Sequence, residues 1–308
     1  IVSDVEIGED AADLIHKASV ALESARKTEQ PYVIFSQTMA IKLAENWNLQ
    51  EDLAKAIDDA ALELHYQPKF EIATRRPCGA EALLRWCHPQ RSFVGPDHFI
   101  PLAEQSRFID TITEWTIRNA LWLSQQWPEV SPAPRVAVNL SPKVLADAGL
   151  IESLLNTAEI FNADLHLLTL EITESALMED VSATIKVLER LRSEGINISI
   201  DDFGSGYSSL AYFKNIPANE LKIDKSFITN MLENPANLHI VSSIINMAQG
   251  FELKVVAEGV EDRQTYEKLQ SMGCDIAQGY YIAKPAPNEK FIEWFRQYSE
   301  VCDQLLLR

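Results

Sequence analysis

Leu170-Glu171-Ile172-Thr173-Glu174 and, thirty residues on, Ile200-Asp201-Asp202-Phe203-Gly204-Ser205-Gly206 share one pattern: an apolar, strand-like run that ends in carboxylates. In a barrel of alternating strands and helices, the carboxyl ends of the strands form one rim, and active sites are built there. On that reading Glu171 and Asp201 share the rim, with Glu174 and Asp202 close behind. Carboxylates gathered at one rim repel one another unless cations lie among them. The pattern predicts a metal site and asks the rest of the chain for further ligands.

Outward from these runs the same texture repeats. Short apolar stretches at 65–70, 80–86, 136–139, 167–171, 196–201, 221–224, 255–258 and 276–278 alternate with helical patterns. Val181, Ile185, Leu188 and Leu191 form one apolar helical face, and Gly195 stands where that helix would stop. Glu261 and Asp262 open another helix at its favourable end, Tyr266 and Leu269 face inward, and Gly273 closes it. Strand, helix, strand is the signature of parallel βα units. Eight strand candidates predict an α/β chain folded as a (β/α)₈ TIM-like barrel. Only a short turn near 75–77 joins the first two strands, so one of them is expected to run antiparallel.

Ahead of the barrel, Ile15, Ala18, Leu22 and Ala25 suggest an apolar stripe on a helix over 10–27. Gln30-Pro31 breaks it, and Tyr32-Val33-Ile34-Phe35 reads as a short strand. A second helix is expected from about Thr38 to Leu64, with Leu49, Leu53, Ile57 and Ala61 spaced by fours, connecting this piece to the barrel.

The 308 residues suffice for one barrel plus an appendage, and 46% hydrophobic with 23% charged residues is a globular balance. A formal net charge of −18 argues against polymeric nucleic acid or an anionic membrane as partner. It leaves room for a small anionic ligand held through metal ions and a few placed cations. No apolar run is long enough to span a bilayer. The opening Ile1-Val2-Ser3-Asp4 has neither an initiator Met nor a signal segment, so the chain reads as a fragment of a longer protein. Cys78, Cys87, Cys274 and Cys302 have no CxxC spacing and the His residues no HExxH pattern. Reduced cytoplasmic thiols and an oxygen-ligated metal, magnesium or manganese, are expected.

The predicted strand ends carry Glu81, Asn139, Glu171, Asp201, Lys222, Glu258 and Gln278. All are oxygen ligands, amides or cations, suited to metal or phosphate work. Two hard cations about 3.5–4 Å apart, bridged by a shared carboxylate, are a recurring device for phosphodiester cleavage. Asp202-Phe203-Gly204 has the form of a kinase metal-binding triplet, but no glycine-rich phosphate loop or His-Arg-Asp sequence accompanies it. Trp115, Trp122 and Trp127 read as core and helix-packing groups, and His65 as a hydrogen-bonded strand residue.

Here the chain resembles the EAL-domain cyclic-di-GMP phosphodiesterases, a family named for the tripeptide seen as Glu81-Ala82-Leu83. That tripeptide alone is worthless, but eight motifs follow in order from about Leu64 to Phe295. They are Tyr66-Gln67-Pro68-Lys69, Glu81 to Arg85, Asn139-Leu140-Ser141, Glu171 to Ser175, Asp201 to Tyr207, Lys222-Ile223-Asp224, Glu258-Gly259-Val260-Glu261 and Gln278-Gly279-Tyr280. The resemblance implies metal-dependent hydrolysis of cyclic-di-GMP to linear 5′-pGpG, with two magnesium or manganese ions activating water. Glu81, Asn139, Glu171 and Asp201 match the metal ligands, and Asp201, Asp202 and Glu258 would serve the second ion. Lys222 matches the lysine that positions or polarises the attacking water, and whether it or Glu258 is closer to a general base stays open. Gln67, Leu83, Glu261 and Gln278 match substrate-lining positions, and Arg85 is suited to a phosphate as a fork of donors. Glu174 matches the glutamate that holds the loop Asp201 to Tyr207.

By the same resemblance, residues 1–36 are expected to be the C-terminal remnant of a GGDEF-like domain and 37–62 a linker helix. The catalytic domain would span 63–298 and a tail 299–308. The resemblance also implies a homodimer through the EAL domain, a missing GGDEF domain in cis with room for sensor domains, and a cytoplasmic setting. Arg107-Phe108-Ile109 departs from the usual Gly-Leu-Ile, away from any metal position. Two other readings are weighed: a silent cyclic-di-GMP receptor, which usually has lost ligands that are all present here, and an enolase-type barrel, which the Asp201-Asp202 pair and the motif set disfavour.

Overall fold

Leu62–Glu71 (β1) alternates buried and exposed side chains, turns at Arg75 with a left-handed φ of 54°, and returns as Arg76–His88 (β2). A turn this short can only join antiparallel strands. The computed structural model describes residues 10–27, 30–106, 108–127, 133–145, 149–179, 181–204 and 215–306. Further along come Ser92–Val94 (β3), Arg135–Asn139 (β4), Leu168–Thr173 (β5), Asn197–Phe203 (β6), Glu220–Ile223 (β7), Lys254–Ala257 (β8), Ile276–Ala277 (β9) and Ala286–Pro287 (β10). Strands β2, β4, β5, β6, β7, β8 and β9 run parallel, each bonded to the next. β1 closes the ring by pairing antiparallel with both β2 and β9. The result is a closed eight-stranded (β/α)₈-type barrel with one reversed strand, as the sequence pattern predicts. β3 and β10 extend β2 and β1 outside the ring.

Helices cover the outside of the parallel strands, so these strands are buried on both faces and read as apolar runs. Val136, Val138, Leu168, Leu170, Ile198, Ile200, Leu221, Ile223 and Val255 are all fully buried. The helix Arg263–Ser271 begins on an Asp262 cap that accepts from the Thr265 amide, with Tyr266 and Leu269 buried as expected. The helix Asn288–Leu306 lays Phe291 and Phe295 against the barrel. Phe291 meets Tyr66 of β1 at 5.8 Å and Trp127 at 4.7 Å between ring centroids, and Trp127 Nε1 donates to Asn288 Oδ1 at 3.0 Å.

Several expectations need correction. The second helix is Gln37–Ala56 and stops well short of Leu64. Leu62, Leu64 and Tyr66 have a strand's period of two, and pairing with Trp86, Leu84 and Ala82 wins over the helical spacing of Ile57 and Ala61. Residues 32–35 form no strand; they are an irregular connector with Tyr32 and Ile34 exposed. The helix Ala11–Lys27 is present, but its buried face is Val20, Ala21 and Ala25, while Ile15 and Leu22 point to solvent. The expected stripe therefore holds only at Ala25, because packing against the neighbouring helix selects the buried face. Trp127 is buried and Trp115 packs on the core, but Trp122 is exposed. The C-terminal helix runs through the expected border at 298. Residues 1–4 and Arg107 lie outside the described residues.

Phe291→Ala is expected to cost about 3–5 kcal/mol of stability, the usual cost of emptying a buried Phe site. Leu22→Ala should stay within about 0.5 kcal/mol, as exposed substitutions do. Urea unfolding of the two variants checks this, and a large loss for Leu22→Ala would contradict the observed helix face.

Candidate active site

Lys222 sits in β7 between Leu221 and Ile223, whose side chains face the surrounding helices, so strand alternation sends the lysine into the barrel. The same alternation turns Glu171 inward between Leu170 and Ile172. Register then gathers the groups at one end: Gln67 lies opposite Glu81, Asn139 beside Glu171, and Thr173 beside Asp201. Lys222 Nζ lies 2.7 Å from Glu171, 3.1 Å from Asp201, 2.6 Å from Glu258 and 3.5 Å from Glu81. Glu81 also accepts from Asn139 Nδ2 at 2.7 Å and from Gln278 Nε2 at 2.6 Å.

The electrostatics follow from this crowding. Burial would lower Lys222, but Asp201, Glu171, Glu258 and Glu81 outweigh it and hold the ammonium well above its usual range. Burial would likewise raise Glu171, but Lys222 and Lys69 dominate and bring it down to about 2. Glu258 goes the other way: burial and the neighbouring carboxylates Asp201 and Glu81 lift it to about 8 against the pull of Lys222. Burial, then Glu171, raise Glu81 too. Asp202 rises to about 6 through burial and the proximity of Asp201 and Asp224. Lys222 and Lys69 are fewer than the carboxylates gathered here, so the cluster carries more acidic groups than cations to pair them.

Adjacent strand residues ordinarily point to opposite faces, yet Asp201, Asp202 and Glu258 offer oxygens all within 4.8 Å of one another. The β6–β7 ladder is irregular between Ile200 and Phe203, and Asp202 has a left-handed φ of 54°. That break turns the second aspartate toward the first. Its amide donates to Asp201 Oδ1 at 2.9 Å. The Gly204 amide then donates to Glu174 Oε2 at 2.8 Å. Gly204 itself has φ 97°, and a Cβ there would press on the Phe227 ring at 3.0 Å. The remainder of the expected loop, Ser205 to Tyr207, lies outside the described residues.

Beside the carboxylates opens a cavity of about 320 Å³ lined in part by Gln67, Leu83, Glu261, Gln278, Tyr280 and Lys225. Four of these are predicted substrate-lining positions; Lys225 and Tyr280 are additions that sequence reasoning missed as site residues. Arg85 is not among these lining residues; its guanidinium lies over the Phe93 ring at 5.8 Å, donates to the Leu84 carbonyl and stays within electrostatic reach of Glu81 and Tyr280. Lys69 was also missed. It is buried within the barrel, and its position two residues after Gln67 on the inward face of β1 was the available signal. Among the described residues, Gln278 Oε1 is a buried acceptor without a hydrogen-bond partner. An excess of buried carboxylate, a close three-carboxylate cluster and this orphaned oxygen form a donor set that fits hard divalent cations and a polar ligand.

Comparison with known proteins agrees with this chemistry. Residues 50–285 match the family described as the EAL domain. The chain is 39% identical over 287 residues to the bifunctional diguanylate cyclase/cyclic di-GMP phosphodiesterase MucR of Pseudomonas aeruginosa, covering 92% of this chain and 42% of MucR. It is 38% identical over 293 residues to the cyclic di-GMP phosphodiesterase NbdA of the same organism, covering 94% of this chain and 37% of NbdA. The chain thus spans about two fifths of the length of these curated relatives. A solved structure of the MucR phosphodiesterase in complex with c-di-GMP superposes with a TM-score of 0.76 at 41% identity, over 79% of this chain and 99% of that one.

The pKa directions set a pH dependence for the chelator-treated protein. Glu258, raised to about 8, contributes stability that is full below its ordinary value and is lost as pH rises through about 8. Glu171, depressed to about 2, contributes stability that is present above its ordinary value and is lost as pH falls toward 2. The melting temperature should therefore fall between about pH 5 and 8, and manganese should raise it more at pH 8 than at pH 5. A metal-free melting temperature that climbs steadily toward pH 8 would contradict this.

Proposed function

The chain belongs to the EAL domain family, and we propose that it hydrolyses cyclic-di-GMP to linear 5′-pGpG. The observation that carries this reading is the convergence of Glu81, Glu171, Asp201 and Glu258 on Lys222, with Asn139 and Asp202 alongside. It is supported by the names of the relatives, phosphodiesterases of the same dinucleotide. Glu81, Asn139, Glu171 and Asp201 would hold one magnesium or manganese ion, and Asp201, Asp202 and Glu258 a second. Bound there, such ions lower the pKa of water and offset charge on the phosphate.

The chain's own residues have distinct tasks. The amides of Gln67 and Gln278 and the carboxylate of Glu261 present donors and acceptors suited to a guanine edge, beside the apolar Leu83. Lys222, held as an ammonium, serves as a hydrogen-bond donor that orients the attacking water. It is a poor base because its proton is stabilised by every neighbour. Glu258, 2.6 Å from that ammonium, is the carboxylate placed to accept the proton. As the water oxygen bonds to phosphorus, its proton goes to Glu258. The bond from phosphorus to the 3′ oxygen breaks, and that oxygen takes a proton from solvent. Glu174 keeps the Asp201-Asp202 corner in place through the Gly204 amide.

The same proposal sets the reaction in the cytoplasm, in a homodimer, with residues 1–36 closing a GGDEF-like domain of a longer protein. Among the described residues no helix is long and apolar enough to cross a membrane.

Incubation of the 308-residue chain with cyclic-di-GMP and magnesium or manganese, followed by chromatography of guanine nucleotides, tests the reaction. Linear pGpG is expected from wild type and at least ~100-fold less from Glu81→Ala, which removes the carboxylate shared by Asn139, Gln278 and Lys222. Calcium as sole ion should support turnover poorly, since it favours looser, higher coordination. Tight binding without cleavage by wild type would overturn the enzyme reading in favour of a cyclic-di-GMP receptor.

A further inference from the structure

Below the rim, the barrel interior holds a second buried ammonium. Lys69 comes from β1, the reversed strand, and is only 5% exposed. Its Nζ lies 2.7 Å from Glu171 Oε1 and 2.8 Å from Glu220 Oε1. Glu220 in turn accepts from Ser199 Oγ at 3.1 Å. Glu171 is therefore gripped at both oxygens by different lysines, Oε1 by Lys69 from below and Oε2 by Lys222 at the rim. Only the upper grip belongs to the machinery described so far.

The two lysines differ in what else they touch. Lys222 contacts four rim carboxylates, so any cation that takes those oxygens competes with it. Lys69 contacts one rim carboxylate and one that faces away from the rim. Its grip on Glu171 can persist while the rim rearranges. A Glu side chain has three rotatable bonds, and fixing one oxygen on a buried partner leaves the other aimed at the rim.

We propose that Lys69 is a positioning residue that, braced by Glu220 and Ser199, holds Glu171 in the orientation needed to bind a divalent cation. This rests on the assignment of Glu171 as a metal ligand in the proposed function. Groups that orient metal ligands typically change metal affinity 10–100-fold when removed. A competing effect has the opposite sign. Loss of the Lys69 charge lifts a repulsion and alone would tighten cation binding. It also removes the partner that fixes Glu171 Oε1 at 2.7 Å and leaves that carboxylate facing Glu220 with no donor between them, which favours a turned side chain. The second effect acts on the ligand atom itself and is expected to win.

The test uses the full 308-residue chain and manganese alone, with free manganese followed by electron paramagnetic resonance. Lys69→Met is expected to weaken manganese binding about 10-fold or more. Glu220→Gln, which keeps an acceptor but loses its charge, should weaken it about 3-fold, a smaller step in the same direction. Thermal melts in chelator report folding separately. A folded Lys69→Met protein that binds manganese within twofold of wild type, or more tightly, would overturn the proposal, even if its melting temperature drops. Should Lys69→Met fail to fold, unchanged manganese binding by Glu220→Gln would overturn it. Wild-type protein that binds manganese but leaves cyclic-di-GMP intact would remove the phosphodiesterase reading, while weakened binding in both variants would still support the role of Lys69. No manganese binding by wild type would overturn both.

Discussion

The structure depends on keeping a cluster of carboxylates inside a barrel around one buried ammonium. Lys222 contacts Glu81, Glu171, Asp201 and Glu258 at once, and it is almost wholly shielded from water. Such an arrangement is costly in a medium of low polarity unless charges are paired and hydrogen bonds complete. The barrel meets the requirement with amides from Asn139 and Gln278 and with Lys69 beneath. What remains is an excess of negative charge at the rim, and that excess gives the site its demand for cations. Stability and chemistry are coupled here, because the charge that strains the fold is also the charge that recruits metal.

Geometry decides where the demand is focused. A regular β6 would send Asp201 and Asp202 to opposite faces of the sheet. The broken β6–β7 ladder and the left-handed backbone of Asp202 bring both to the same side, within reach of Glu258 from β8. Backbone in this region is costly for a residue other than glycine and persists only where its surroundings enforce it. The Glu174 carboxylate, holding the next glycine amide from a different strand–helix junction, is one such restraint. The same corner adjoins the cavity beside Gln278, so a ligand there meets the carboxylates directly.

Much of this was legible in the sequence because two periodicities rarely conflict inside a barrel. Apolar runs ending in polar groups marked the parallel strands, and the short turn before Arg76 marked the reversed one. Glu81, Glu171, Asp201, Lys222, Glu258 and Gln278 do come together as their strand ends imply. Less legible were features that depend on distant partners. Residues 57–61 keep a helical spacing, yet the strand pairing of Leu62 with Trp86 ends the helix earlier. The first helix turns Ile15 and Leu22 to solvent because packing against its neighbour, rather than its own stripe, selects its face. Lys69 sits inside a motif whose glutamine drew attention; strand alternation places it on the same inward face, but the partners that make its burial tolerable are distant in sequence. Its partner Glu220 is 151 residues away.

The most direct measurement of the central claim is anomalous diffraction from crystals of this chain grown with manganese. Two anomalous peaks are expected at the rim. One lies within ligand distance of Glu81, Asn139, Glu171 and Asp201, and the other of Asp201, Asp202 and Glu258. A fully occupied, ordered rim with Lys222 still bridging its four carboxylates, and no anomalous signal at saturating manganese, would contradict the account.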